Sequence, residues 1–73
     1  MRRVRRWILR FITRRGRARL EQLLGEAVAH FGSDTEELRE EVESQAERAL
    51  LLLCREGQTS SAHGWIEYTA SAA

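Results

Sequence analysis

Arginine is the residue whose type and spacing point most directly to chemistry. Arg2, Arg3, Arg5, Arg6, Arg10, Arg14, Arg15, Arg17 and Arg19 fall within the first nineteen residues, which hold no acid. The remaining 54 residues carry Arg39, Arg48 and Arg55 against all eleven Asp and Glu. The formal charge of +1 therefore conceals a chain that is basic at one end and acidic over the rest. Guanidiniums without neighbouring carboxylates suit phosphate, because each releases condensed counterions from a nucleic acid and so gives sequence-independent, salt-dependent affinity. All twelve basic side chains are Arg, which suits bidentate phosphate binding and equally suits a GC-rich genome.

Other reactive residue types are scattered. Cys54 follows the run Leu50 to Leu53, where a thiol is expected to be buried as a small hydrophobe. His30, Cys54 and His63 lack metal-ligand spacing, with no CxxC or HxxxH pair, so neither a metal nor a cofactor is expected. His63 is placed to meet a phosphate or nothing. No nucleophile has a base at a recognisable spacing, and the expected function is binding rather than catalysis. The run Glu36, Glu37, Glu40, Glu41, Glu43 and Glu47 places like charges at i, i+4 three times, which is mildly unfavourable in isolation. Its plain reading is a solvated helix face. Its sharper reading, centred on Glu36, Glu37, Glu40 and Glu41, is a docking surface for a basic protein or a second copy of this chain as a homodimer.

These residues need elements to hold them. Seventy-three residues make one domain, expected over residues 1–69, that buries only about 60% of its unfolded surface and leaves little room for a deep cleft. One cysteine allows no intramolecular disulfide, which fits a reducing, cytoplasmic setting. No stretch approaches the roughly 20 apolar residues of a membrane span, and the N-terminal segment lacks the pattern of a secretory signal.

Val4, Trp7, Ile8, Phe11 and Ile12 follow the i, i+3, i+4, i+7, i+8 rule of an amphipathic helix, expected to stop near Gly16. Within it, Trp7, Phe11 and Ile12 are expected in the core. Leu20, Leu23, Leu24, Ala27, Val28 and Phe31 give a second helix ending at Gly32. Ser33 with Glu36 and Asp34 with Glu37 stand at capping-box spacing before a third helix. That helix is carried by Leu38, Val42, Ala46, Ala49, Leu50 and Leu53 and ends at Gly57. Leu51 and Leu52 widen its stripe and predict burial on several sides. Thr59 to His63, Gly64 and then Trp65 to Thr69 read as a hairpin, with Trp65 and Tyr68 covering the core rather than stacking on bases. Residues 70–73 are expected to be a disordered tail.

The predicted fold is therefore α+β and mainly helical, with three helices followed by a small C-terminal hairpin. In "WILRFITRRGR", the connector "RARLEQLL" with room for a short strand, and "ALLLLCREGQ" running into "GWIEYT", the chain resembles the winged helix-turn-helix domains of prokaryotic regulators. The resemblance covers nearly the whole chain and implies double-stranded DNA as partner, with the third helix in the major groove and the hairpin as wing. Two positions depart from it. The start of the third helix holds Glu36, Glu37, Glu40 and Glu41, which phosphate would repel, and Thr59 to His63 carry no fixed positive charge.

The expectation is a DNA-binding regulator or accessory factor that meets phosphates through Arg2, Arg3, Arg5, Arg6, Arg10, Arg14, Arg15, Arg17 and Arg19. Two alternatives stand beside it. One is a protein-interaction adaptor working through the acidic third helix. The other, less favoured, is a peripheral membrane protein whose first helix lies in the lipid headgroup region on Trp7 and Phe11. A fourth account pairs the arginines with the acids of the third helix, in the same or a neighbouring chain.

Overall fold

The computed structural model describes residues 2–32 and 34–69, the Arg2 side chain excepted. Along the chain run α1 (Arg2–Arg15), β1 (Arg17–Arg19), α2 (Leu20–Phe31), α3 (Glu36–Arg55), β2 (Thr59–Ala62) and β3 (Trp65–Tyr68). This is the mainly helical α+β arrangement expected from the sequence. The connector strand forms and joins the hairpin, so the antiparallel sheet has the order β1-β3-β2 with β3 in the middle. Arg17, Ala18 and Arg19 lie opposite Glu67, Ile66 and Trp65. The expected tail at 70–73 and the Ser33 cap lie outside the described residues.

Each helix turns one stripe to a common core. In α1, Val4, Ile8 and Ile12 recur every fourth residue and are buried, while Trp7 and Phe11 sit half-buried beside them. Leu23, Ala27 and Val28 do the same for α2, and Val42, Ala46, Ala49, Leu50 and Leu53 for α3. Ala18 and Ile66, directly opposed across β1 and β3, bring the sheet onto this core. Ile8, Ile12, Leu23 and Leu53 are its largest fully buried side chains.

The ends of α3 show how local chemistry sets its limits. Its N-cap is Thr35, whose hydroxyl accepts the Leu38 N–H at 3.1 Å, so Asp34 does not open the helix as the capping-box spacing predicted. At the other end, Gln58 N–H reaches Leu53 O at 2.9 Å and Gly57 N–H reaches Cys54 O at 3.1 Å. With Gly57 at φ 78° this is a Schellman closure, a left-handed position that glycine takes without strain. The hairpin turns on His63 and Gly64, at φ 53° and 80°. Two consecutive positive φ values match the twist of a two-residue type I′ loop.

Three expectations of burial are corrected. Leu51 is 62% exposed, Leu52 is 37% exposed, and Cys54 faces solvent instead of the core. Consecutive helical residues are about 100° apart, so a run of four leucines cannot share one side. Leu50 and Leu53 take the core side, and their neighbours point away. Trp65 also departs from the expected core position: it is half-buried beneath two arginines, while Ile66 and Tyr68 face inward.

Candidate nucleic-acid interface

The nine N-terminal arginines separate into distinct environments once α1 and β1 are in place. Arg3, Arg6, Arg10 and Arg14 are all exposed. At 100° per residue they fall within an arc of about 80°, opposite the Val4–Ile8–Ile12 stripe, and they extend over about 16 Å of helix. None of the four takes part in an ion pair among the described residues. Their elevation on a helix whose other face is locked in the core gives a rigid positive edge.

Arg5, Arg15, Arg17 and Arg19 are engaged. Arg5 donates Nη1–H to Glu56 Oε2 at 2.9 Å and Nη2–H to Glu56 Oε1 at 2.5 Å. These hydrogen bonds hold the Glu56 carboxyl below its ordinary range and push the Arg5 guanidinium above its own. Arg15 pairs with Glu26 at 3.2 Å and lies 4.5 Å over the Phe11 ring. Arg17 and Arg19 project from the same side of β1, their guanidiniums 4.2 and 4.9 Å from the Trp65 centroid. The two cations thus lie against one indole ring, an arrangement that orders them without neutralising them. Arg2 lies on α1, but its side chain is outside the described residues.

A shallow groove runs between α1 and α2 in two adjoining lobes of about 600 and 570 Å³, which share Trp7, Arg10 and His30. Arg14, Arg15 and Glu26 border one lobe and Arg3, Arg6 and Phe31 the other. Its floor is aromatic. The Trp7 ring lies near-parallel to Phe11, 5.1 Å between centroids at 24°, and to His30, 5.6 Å at 26°. Phe31 meets Trp7 and His30 edge-on at 6.0 and 4.7 Å.

The acidic residues occupy another surface. Glu36, Glu37, Glu40, Glu41 and Glu47 are exposed and Glu43 half-buried, and none forms an ion pair among the described residues. Among the described residues the arginines do not pair with this run within the chain: the two ion pairs there use Glu56 and Glu26. Arg3 of the basic row and Glu41 of the acidic run border one shallow hollow, together with Val4, Phe31 and Leu38.

His30 and Cys54 are brought to no shared site, and no group of three or more metal-ligating side chains occurs among the described residues. His63 stands exposed at the hairpin turn. Two features escaped the sequence reading. The alternation of Arg17, Ala18 and Arg19 signals a strand with two outward cations, but not the Trp65 that receives them. The pairing of Trp7 and Phe11 with the end of α2 depends on how two helices cross, for which the sequence offers no local signal.

No known family model, curated protein or solved structure matches the chain.

Proposed function

We propose that this is a winged-helix-like, non-catalytic domain that binds nucleic acid, duplex DNA in the first instance, through phosphate contacts made by α1 and β1. The observation that carries the reading is the row of Arg3, Arg6, Arg10 and Arg14, exposed and free of ion pairs among the described residues. Arg17 and Arg19 add two further cations on the sheet. The order helix, short strand, helix, helix, hairpin supports the winged-helix assignment. The phosphate-facing element is nevertheless α1, because the exposed carboxylates at the start of α3 would repel a DNA backbone.

The membrane alternative needs the apolar face of α1 free to enter lipid. Here Val4, Ile8 and Ile12 are 4%, 0% and 0% exposed. No described helix is long and apolar enough to cross a membrane. A protein-interaction reading has its own supporting observation, the unpaired carboxylates of α3.

The test is a salt series of binding to random duplex DNA by fluorescence anisotropy. Affinity should fall steeply with salt, and Arg→Gln substitution at positions 3, 6, 10 and 14 should reduce the slope of log affinity against log salt by about 3 to 4. An unchanged slope defeats the proposal. Binding of a basic protein that survives those changes, but fails when Glu36, Glu37, Glu40 and Glu41 become Gln, would establish the adaptor reading instead.

A further inference from the structure

We infer that the α1–α2 groove receives an unpaired nucleotide of a nucleic-acid strand, its base against the Trp7–His30 aromatic floor and its phosphates on the Arg3–Arg14 row. This rests on the phosphate-binding reading and specifies what that interface recognises beyond charge.

The argument begins with the kind of surface the groove presents. A duplex offers a protein its phosphates and the edges of its base pairs, while the faces of the bases stay covered by their neighbours in the stack. Four arginines on a helix would suffice for that. The groove adds something a duplex cannot use: half-buried Trp7 and Phe11 and exposed His30, lying nearly parallel between guanidiniums rather than hidden in the core. The exposed His30 ring, stacked on Trp7 and bordered by positive charge, is complementary to a flat base attached to negative phosphates. Base stacking on aromatic side chains combined with a basic track is the general means of holding single strands.

Charge and position narrow the occupant further. Among the described residues Glu26 is the only acid bordering either lobe, and it is already paired with Arg15. The uncompensated charge of the groove is thus entirely positive. Lipid would draw on the apolar face of α1, where Val4, Ile8 and Ile12 are closed in the core and Trp7 and Phe11 are half-buried. An acidic peptide would satisfy the arginines but leaves the ring floor without a partner. His30 is the exposed member of the aromatic group and sits in both lobes, so an incoming base meets it first.

The experiment compares one blunt duplex with the same duplex carrying a single-stranded thymidine tail of about eight nucleotides. Binding of the full chain is followed by anisotropy and by tryptophan emission at about 0.15 M salt, with polyglutamate as a polyanion without bases. The tailed duplex should bind about tenfold more tightly and quench emission. That quenching should disappear in Trp7→Phe, and His30→Ala should bring the ratio of tailed to blunt affinity close to unity. Equal affinity for both duplexes without quenching, while duplex binding keeps its steep salt dependence, would overturn the groove assignment and leave the phosphate reading standing. Polyglutamate competing as well as the tailed duplex would also overturn it, because charge alone would then explain occupancy. Failure to bind any oligonucleotide would remove both readings.

Discussion

Arg5 and Glu56 join the first turns of α1 to the residue that closes α3, through two side-by-side hydrogen bonds of 2.9 and 2.5 Å across 51 positions of sequence. The side chains keep 33% and 44% of their exposure, so water and salt weaken the pair and its contribution is modest. Its pH dependence has a definite sign. The hydrogen bonds from Arg5 lower the pKa of Glu56 in the folded state, so the stabilisation is complete above the ordinary carboxylate range. It disappears as pH falls through that range, near about 4.3, and then through the depressed folded value. Glu56→Gln should therefore melt at a lower temperature than the parent at pH 7, with the difference vanishing in strong acid. Coincident melting curves at pH 7 would show that the pair contributes nothing.

Leu50 and Leu51 are neighbours in sequence with opposite surroundings, 6% and 62% exposed. Leu50→Ala removes packed side-chain atoms beside Ala46 and Leu53 and should cost about 2 to 4 kcal/mol. In a domain of this size that lowers the melting temperature by roughly 10 °C or more. Leu51→Gln should stay within about 0.5 kcal/mol of the parent. A large loss from the second substitution would mean that this face of α3 is covered in solution.

Cys54 provides a direct check on the rotation of α3. Because its side chain faces solvent, a thiol reagent should modify it in the native protein under conditions where the chain remains folded. Protection until global unfolding would place the thiol in the core and require α3 to be turned about its axis.

The helices were legible because their apolar residues recur at nearly one spacing throughout. Val4, Ile8 and Ile12 mark one side of α1, and Gly16 and Gly57 stop α1 and α3 where the sequence places them. The hairpin was legible for a similar local reason, small residues before His63–Gly64 and β-formers after it. What the pattern could not resolve was the run from Leu50 to Cys54, since a continuous apolar stretch has no phase of its own. The tertiary contacts of Leu50 and Leu53 select it. The basic surface was visible as composition, but its division into an unpaired row, two ion pairs and two indole-bound cations depends on partners distant in sequence. Glu56, Glu26 and Trp65 become neighbours of Arg5, Arg15 and Arg17 only after folding.

Arg17 and Arg19 allow the sheet's part in binding to be separated from that of α1. Each lies over Trp65, close enough for a cation–π interaction, and each remains exposed with no carboxylate partner among the described residues. Two ordered cations on one strand would meet two phosphates, so Arg17→Gln with Arg19→Gln should reduce the salt slope by about 2, against 3 to 4 for the α1 row. Removing the guanidiniums also uncovers the indole, and Trp65 emission in a Trp7→Phe background should become more accessible to a neutral quencher. An increase in quenching without a change in slope would leave the cations as structural cover for Trp65 and confine the phosphate interface to α1. A reduced slope would extend that interface across Gly16 onto the sheet, giving the hairpin side of the domain the positive charge that Thr59 to His63 lack.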